Sequence, residues 1–426
     1  MPNEENTGAG VTLEAVLVPE NLNAAWSSVK ANDGAGGVDG RNIAQTQAHL
    51  REHWEAVAKK LRAWEYEPGA VRAKEIPKPQ GGVRMLGIPN VQDRLIQQAI
   101  QQKLSEVFEP EFSENSYGFR PGRSTHDAVR KATGFVAEGK EWVADIDLKS
   151  FFDQVNHDIL LALVARKVRC KGLLRLIGGY LRAPMQQPDG SKQARKCGTP
   201  QGGPLSPLLA NIYLTPLDRE LEKRGVAFVR YADDIAIFAG SERAAERTLE
   251  SIVKWLKKHL KLEVNPDKTG VGRSDDGSLL GFRLYADGRV GVAPKAIERM
   301  KERVRKHWTG RGHVPANEHR NGWQEYIRGW WGYFGRANWQ REVTDLSGWI
   351  RRHIRKWFWQ RWHHPVGRMK ALRKLGVKGR GIRVGLCSKG AWSMANHVAI
   401  KQALKNAVLR RWGLNHPWDD AKAAIS

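Results

Sequence analysis

Apolar and polar residues follow two different periods along the first part of the chain. The segment "VQDRLIQQAIQQKLSEVF", from Val91 to Phe108, has aliphatic residues at helical spacing with glutamines between them, which predicts a core-facing helix. Shorter apolar runs are interrupted by glycine and proline, as in "EIPKPQGGVRMLGIP" and "KCGTPQGGPLSP", and indicate strands and turns. From Asn21 to about Leu284, the pattern predicts one mixed α/β domain.

Two of the predicted strands carry carboxylates among apolar residues. In "FVRYADDIAIFAG", Asp233 and Asp234 are adjacent within an otherwise apolar pattern. In "EWVADIDLKSFFDQVNHDIL", strand alternation places Asp145 and Asp147 on one face and the aliphatic residues around them on the other. An uncompensated buried charge is costly, so we expect a cation to meet these carboxylates.

If the two acidic strands are neighbours, carboxylates from distant segments converge. Carboxylate oxygens suit Mg²⁺. Two such ions, about 3.5 to 4 Å apart, can activate an attacking hydroxyl and stabilise the leaving oxygen of a phosphoryl displacement. Each acidic pair taken alone is more often a helix cap or a salt-bridge partner. Both together, in a very basic chain, favour the metal site.

Beyond about Val292, the pattern changes to helical periods dense in arginine, lysine and tryptophan. Examples are "RMKERVRKHW", "WQEYIRGWWGYFGRANW" and "WIRRHIRKWFWQRWHH". We expect most of these tryptophans to lie in a core and many of the arginines to contact nucleic acid. A helical bundle with solvated arginines is the alternative. From about Pro365, two basic stretches broken by glycine and a last helical run, "HVAIKQALKNAVLRRWGL", indicate a small separate module.

Charge narrows the class of partner. The 426 residues include 70 Lys and Arg against 45 Asp and Glu, a formal net charge of +25, and a polyanion such as nucleic acid is the expected partner. The three cysteines form no CxxC pair, which argues against a zinc site or a disulfide framework. Without a long apolar run or a signal-peptide pattern, we expect a soluble protein in a reducing compartment.

An ordered series of motifs resembles bacterial group II intron reverse transcriptase/maturases over nearly the whole chain. The series is "NLNAAWSSVKANDGAGGVDG", "EIPKPQGGVRMLGIPNVQDRLIQQAI", "NSYGFRPGRSTHDAVR", "DIDLKSFFDQVNHDIL", "GTPQGGPLSPLLANIYL", "RYADD", "LEVNPDKT", "LLGFRL" and "YIRGWWGYF". The short C-terminal module, with no endonuclease domain after it, is most similar to compact group IIC-like members.

The resemblance implies an α+β fold of the right-hand polymerase type. Fingers and a palm with an antiparallel sheet would occupy residues 1–290, with an N-terminal extension at 1–40. An α-helical thumb/maturase domain would follow at 291–364, and a small basic, DNA-binding-like module at 365–426.

The family's catalytic triad corresponds to Asp147, Asp233 and Asp234, which would hold two Mg²⁺ ions, with Mn²⁺ as a substitute. Asp145 competes for the first of these positions. In the family, an aromatic residue that screens the sugar lies five positions after the catalytic aspartate. Phe152 therefore favours Asp147 and leaves Asp145 as a supporting carboxylate.

The resemblance also implies contacts to the nucleotide. Phe152 would exclude a ribose 2′-hydroxyl by clash, Lys78 and Arg84 would grip the triphosphate, and Gln201 would contact the nucleotide. Simpler alternatives are core packing for Phe152 and a solvated hairpin tip for the two cations. Of the two rings in "FF", which we place in a strand, Phe151 is the better core candidate.

Three further residues complete the implied site. Tyr231 and Ala232 would shape the turn that carries the acidic pair. Lys268 would act near the departing pyrophosphate as a proton donor or counter-charge, or it would pair with Asp267 or another acid.

The implied function is RNA-directed DNA polymerase and intron maturase. Such a protein binds group II intron RNA to assist splicing and copies it into DNA during retrohoming. The implied partners are intron RNA, an RNA template with a DNA primer, deoxynucleoside triphosphates and target DNA, with no membrane, in a bacterial cytoplasm with access to the nucleoid. Two alternatives are a domesticated reverse transcriptase in DNA repair or defence, and an RNA-binding splicing factor with no essential polymerase activity.

Overall fold

The structure is a computed structural model that describes residues 10–77, 82–310, 314–338, 341–414 and 416. For Arg84 and residues 341–344 it describes the backbone only. The chain divides into two compact units, a first unit that ends at Ser274 and a second unit that begins at Asp275. The domain limits predicted at 290 and 364 stay predictions.

The first unit combines helices with two four-stranded sheets. Its helices are α1 (Leu13–Leu17), α2 (Pro19–Ala31), α3 (Ile43–Arg62), α4 (Val91–Phe108), α5 (Thr125–Ala137), α6 (Phe151–Gln154), α7 (His157–Ala165), α8 (Lys171–Arg182), α9 (Ser206–Lys223) and α10 (Glu242–Trp255). Its strands are β1 (Val71–Pro77), β2 (Val83–Ile88), β3 (Trp142–Asp147), β4 (Met185–Gln186), β5 (Lys192–Gln193), β6 (Ala227–Tyr231), β7 (Asp234–Ala239) and β8 (Gly270–Arg273).

One sheet, which we call the palm sheet, has the strand order β6-β7-β3-β8. All its neighbouring strands are antiparallel, which confirms the predicted antiparallel palm sheet. The other, the fingers sheet, has the order β2-β1-β4-β5 and contains the β1–β2 hairpin. The α+β fold class is likewise confirmed.

The predicted core helix is α4, with the bounds that its periodicity indicated. Its aliphatic side chains belong to the hydrophobic core of the first unit, together with α9 and the inner face of the palm sheet. Helix α4 also buries a carboxylate, because Asp93 is 2% exposed. Asp93 accepts hydrogen bonds from the Tyr66 hydroxyl at 2.8 Å and from the Gly69 backbone N–H at 3.2 Å.

Asp93 makes the stability of the first unit depend on pH. Burial raises the pKa of its carboxyl from 3.8 to about 6, so the folded state binds more protons than the unfolded state between these pH values, and stability falls as pH rises through this window. Relative to Asp93→Asn, the parent should lose about 2.5 kcal/mol of unfolding free energy between pH 4 and pH 7. Urea denaturation across this range measures the change, with exposed Asp158→Asn as the control. A difference that stays constant with pH would contradict the assignment.

The second unit is mainly helical. Its helices are α11 (Pro294–His307), α12 (Ala316–Phe334), α13 (Arg341–Arg361), α14 (Pro365–Lys374), α15 (Arg380–Arg383), α16 (Ala391–Met394), α17 (Val398–Ala403) and α18 (Asn406–Arg411), and its strands are β9 (Phe282–Leu284) and β10 (Val290–Val292). The three predicted basic, tryptophan-rich helices are α11, α12 and α13. The single run predicted near the C-terminus forms two short helices, α17 and α18.

Tryptophans form much of the core of the second unit. Trp308, Trp323, Trp357 and Trp359 are at most 4% exposed. The Trp308 ring packs against Trp323 and Trp357, and the Trp359 ring packs against Trp362. Five others are partly buried against the same core: Trp330, Trp331, Trp349, Trp362 and Trp412. The tryptophans of this unit are therefore largely core residues, as predicted. None of the helices in the described part of the chain is long and apolar enough to cross a membrane.

Candidate active site in the palm sheet

Carboxylates from two strands meet at one end of the palm sheet. Asp147, the last residue of β3, lies opposite Asp234, the first residue of β7, in the antiparallel register. Asp233 precedes Asp234 in the turn between β6 and β7. The apolar residues that alternate with Asp145 and Asp147 are buried. The predicted convergence of the two acidic segments is thus present.

The acidic residues destabilise one another's charged forms. Burial raises the pKa of the Asp145 carboxyl to about 7, and Asp234 adds to the shift. Although Asp234 has solvent access, desolvation and the charges of Asp233 and Asp147 raise its pKa to about 6, against a smaller opposing effect of Lys268. Such a cluster is stabilised by any cation that it can bind.

Lys268 supplies one cation to the cluster. Its Nζ lies 3.1 Å from an Asp147 carboxylate oxygen, which identifies the acid that the sequence left open. The loop that carries Lys268 is fixed to the end of β3, because the Asn265 backbone N–H donates to the Asp147 carbonyl at 2.8 Å. The Thr269 hydroxyl also accepts a hydrogen bond from the Asp147 backbone N–H, at 3.2 Å.

The turn between β6 and β7 has a constrained backbone. Ala232 has a φ of +58°, in the left-handed region that is costly for a residue with a Cβ. Gly118 packs directly against this turn, since a Cβ at position 118 would lie 2.2 Å from the Ala232 backbone nitrogen and 2.9 Å from the Tyr231 carbonyl carbon. Ala232 therefore lies in the turn with a left-handed backbone, Tyr231 ends β6 directly before it, and Gly118 packs against the turn from one side.

Gly118→Ala should displace the turn and lower the free energy of unfolding by about 1 to 3 kcal/mol, because the contact is with backbone that must shift to relieve the overpacking. Gly134→Ala on α5 is a matched control, since a Cβ there meets nothing within 4 Å. Urea denaturation of both variants measures the loss. Equal free energies of unfolding for the two variants would contradict it.

A buried arginine, which the sequence analysis missed, supports the turn from behind. Arg230 on β6 is 0% exposed and forms a two-fold contact with Asp218 of α9, with N···O distances of 2.7 and 2.6 Å. Its third nitrogen donates to the Ala232 carbonyl at 3.0 Å and to Asn211 Oδ1 at 2.9 Å. The sequence did contain a sign of this contact, namely an arginine within an apolar strand. A charge buried in this way requires a buried acid as its partner.

Hydrogen bonds also join Asn211 and Arg230 to the segment that carries Gly118. The Asn211 side-chain amide donates to the Gly118 carbonyl at 2.9 Å, and the Tyr117 backbone N–H donates to the Arg230 carbonyl at 2.9 Å. We call Arg230, Asp218 and Asn211 the buried bracket. It joins the acidic turn to α9 and to the segment that carries Gly118.

Phe151 and Phe152 lie in helix α6, so the prediction that both belong to a strand is wrong. The strand ends because Ser150 adopts a φ of +45°, which turns the chain into α6. Phe151 is 2% exposed, which confirms it as the core ring. Phe152 is partly buried and lines an open cavity.

Gln201 lines the same cavity as Phe152. Its backbone carbonyl accepts a hydrogen bond from Gly87 of β2 at 2.8 Å. The next residue, Gly202, has a φ of +133°, and a Cβ there would lie 2.6 Å from the Gly87 carbonyl oxygen. The glycine-rich loop, which contains Gln201 and Gly202, therefore packs closely against the fingers sheet and holds Gln201 at the cavity.

The two predicted triphosphate contacts are at the fingers hairpin. Lys78 lies outside the described residues. Arg84 is on β2, where its backbone pairs with Ile76 of β1, and its side chain lies outside the described part. Their role stays a prediction.

The donor set at the palm fits a hard divalent cation. The carboxylates of Asp147, Asp233 and Asp234 offer oxygen ligands only, which suit Mg²⁺, and a bound cation would oppose the burial and mutual repulsion that raise the pKa values of Asp145 and Asp234. Within the described residues, no three His, Cys, Asp or Glu side chains are already arranged around a common metal position. The three carboxylates therefore suit such a cation by their ligand chemistry and by their closeness in the fold.

An antiparallel palm sheet with an acidic hairpin turn, next to a fingers sheet, defines a template-dependent nucleic-acid polymerase of the right-hand type. Residues 76–284 match the reverse transcriptase (RNA-dependent DNA polymerase) family. Residues 297–376 match the group II intron maturase-specific domain. The chain belongs to the family of group II intron-type reverse transcriptase/maturases.

Similar proteins agree with this assignment. Protein YkfC of Escherichia coli is 33% identical over 313 residues, which cover 64% of this chain and 82% of YkfC. Group II intron-encoded protein LtrA of Lactococcus lactis is 34% identical over 205 residues, 48% of this chain and 34% of LtrA. Nuclear intron maturase 3 of Arabidopsis thaliana is 26% identical over 257 residues, 52% of this chain and 35% of that protein. The chain thus spans most of YkfC and about a third of the other two.

Proposed function

We propose that the palm site extends a DNA primer on an RNA template. The primer 3′-hydroxyl attacks the α-phosphate of a deoxynucleoside triphosphate and releases pyrophosphate. The observation that carries this proposal is the placement of Asp147 opposite Asp234 at the end of two adjacent strands, beside a turn held from behind by the buried bracket. Fixed carboxylates of this kind favour positioning and charge neutralisation as the source of catalysis.

Asp147, Asp233 and Asp234 would hold two Mg²⁺ ions, with Mn²⁺ as a substitute, and Asp145 would support them. When bound, such ions neutralise phosphate charge and lower the pKa of the attacking hydroxyl. The protein's own part is to keep the three carboxylates at a fixed place. Lys268, which is 55% exposed and contacts Asp147, is placed to offer a proton or a counter-charge to the leaving group.

Nucleotide selection is assigned to the cavity that Phe152 and Gln201 share. The Phe152 ring packs edge-on against Phe151, with centroids 5.3 Å apart, and this contact with a buried ring holds it in place. A fixed ring beside the sugar would exclude a 2′-hydroxyl by clash. Lys78 and Arg84 would hold the triphosphate from the fingers hairpin.

Phe152→Ala should raise ribonucleotide incorporation relative to deoxynucleotide incorporation by about 100-fold, because the clash with the 2′-hydroxyl is removed. Ratios of kcat/KM for matched ribo- and deoxynucleotides measure this. Met85→Ala, which enlarges the same cavity from the fingers sheet, is the control and should change the ratio far less. A Phe152→Ala protein that rejects ribonucleotides as strongly as the parent would remove this role.

The second unit is proposed to bind intron RNA and assist its splicing, and the C-terminal basic module to contact target DNA. The match to the maturase-specific domain lies in this unit. Its tryptophans are used in the core, so that arginines and lysines of the same helices are left for phosphate contacts. With such partners, the location that we propose is a bacterial cytoplasm with access to the nucleoid.

Primer extension tests the polymerase proposal. The full chain is mixed with an RNA template, a DNA primer, deoxynucleotides and Mg²⁺, and parallel reactions omit the metal or replace deoxynucleotides with ribonucleotides. Extension that requires the RNA template, deoxynucleotides and the divalent ion supports the proposal. No extension by a folded chain that binds the RNA–DNA duplex would overturn it.

A further inference from the structure

The cavity beside α6 has one cationic wall. It has a volume of about 400 Å³ and is open to solvent. Its walls come from the fingers sheet, from α6 and from the segment that precedes the glycine-rich loop. Among its lining residues are Met85, Met185, Phe152, Gln201 and Arg195. Arg195 was not among the residues that the sequence indicated.

The Arg195 guanidinium has one donor nitrogen that is unsatisfied within the described residues. Its Nη2 atom is buried and has no hydrogen-bond acceptor among the described residues. Burial lowers the pKa of this guanidinium, while Asp153 and Cys197 act in the opposite direction. Since an arginine side chain keeps its charge in proteins and the half-buried Arg195 side chain lines the open cavity, an anionic group that enters the cavity can meet the guanidinium.

The segment that presents Arg195 is fixed against the element that carries Phe152. The Thr199 backbone N–H donates to the Phe152 carbonyl at 2.7 Å, and His157 Nε2 contacts the Gly198 carbonyl at 2.7 Å. Gly198 has a φ of +84°, and a Cβ there would lie 2.8 Å from the Phe152 carbonyl oxygen. The backbone that follows Arg195 is therefore held near the proposed nucleotide site by these contacts.

We propose that Arg195 binds a phosphate oxygen of the substrate nucleic acid or nucleotide in this cavity. This rests on the proposed function, which puts a nucleotide against Phe152 and Gln201. A planar guanidinium matches the spacing of phosphate oxygens and forms strong charge-assisted hydrogen bonds with them. Two sources offer this chemistry, the triphosphate of the incoming nucleotide and the backbone of the template strand.

The test measures binding at equilibrium, without chemistry. An RNA template is annealed to a DNA primer that ends in a dideoxynucleotide, and the full chain is titrated with this duplex and then with the next deoxynucleotide in the presence of Mg²⁺. Arg195→Gln should weaken one of the two Kd values by roughly 10- to 100-fold, the effect of losing a charged hydrogen bond. Arg195→Lys should recover part of the loss.

Lys192→Gln is the matched control, because Lys192 is exposed on β5, does not line the cavity and loses the same charge. Thermal midpoints of all variants check that they fold. A weaker nucleotide Kd with an unchanged duplex Kd assigns Arg195 to the triphosphate. A weaker duplex Kd assigns Arg195 to the template backbone. In that case the slope of log Kd against log salt concentration should also fall by about one, the value for one lost phosphate contact.

If Arg195→Gln and Lys192→Gln change both Kd values by the same factors, the proposal is overturned. Failure of the polymerase function is seen separately. A parent that binds duplex and nucleotide but extends no primer would contradict the proposed function and still allow the Arg195 comparison. A parent that binds neither would overturn both proposals.

Discussion

Asp147→Asn should reduce primer extension by at least about 100-fold, the scale of losing one electrostatic contributor to a transition state, while intron RNA binding is retained. Asp147 faces Asp234 across the sheet and contacts Lys268, so the substitution removes charge at the point where the acidic segments meet. Single-nucleotide extension rates and RNA affinity, measured on one preparation, test this prediction.

Asp158→Asn is the matched control, since Asp158 is exposed in the first turn of α7. It should extend primers at the parental rate. A splicing assay with Asp147→Asn then separates the two functions, because RNA folding does not require the clustered acids. Near-parental extension by Asp147→Asn would contradict the assigned site, and loss of RNA binding would point to a folding defect instead.

Arg230→Ala should lower the free energy of unfolding of the first unit by about 3 to 5 kcal/mol, as expected when one partner of a buried ion pair is removed. Asp218 is 0% exposed. Burial already raises its pKa, and Arg230 is the main influence that lowers it. Without Arg230, the carboxyl is left buried and uncompensated. Urea denaturation at pH 7 measures the loss.

A double-mutant cycle isolates the bracket. Arg230→Met combined with Asp218→Leu should be more stable than either single variant, because no uncompensated charge remains. The double variant should still extend primers more slowly than the parent, since the Ala232 carbonyl has lost its donor. Additive effects of the two substitutions, or full activity of the double variant, would contradict a bracket that positions the turn.

Local patterns predicted those parts of the molecule that depend on a residue's near neighbours. The period of apolar residues in α4 predicted its bounds, and alternation in β3 placed Asp145 and Asp147 on one face, because both features are set by backbone geometry. The acidic turn was also visible, since two carboxylates are rare in an apolar strand.

Features that depend on distant segments were not predictable in the same way. Several acids could have paired with Lys268, and only the fold brings Asp147 to it. Arg230 required a buried acid, but no local spacing identifies Asp218 on α9. The strand assignment of Phe151 and Phe152 failed because two aromatic residues fit a strand or a short helix equally well, and the backbone of Ser150 decides between them.

The buried bracket has a consequence for the choice of metal ion. A turn held by Arg230 and packed against Gly118 has little freedom to move its carboxylates apart. Mg²⁺ requires short distances of about 2.0 to 2.1 Å and octahedral coordination, whereas Ca²⁺ takes longer distances and more oxygen ligands. Carboxylates of Asp147, Asp233 and Asp234 kept in place in this way would favour an ion that needs one set of short distances over an ion that accepts a range of longer ones.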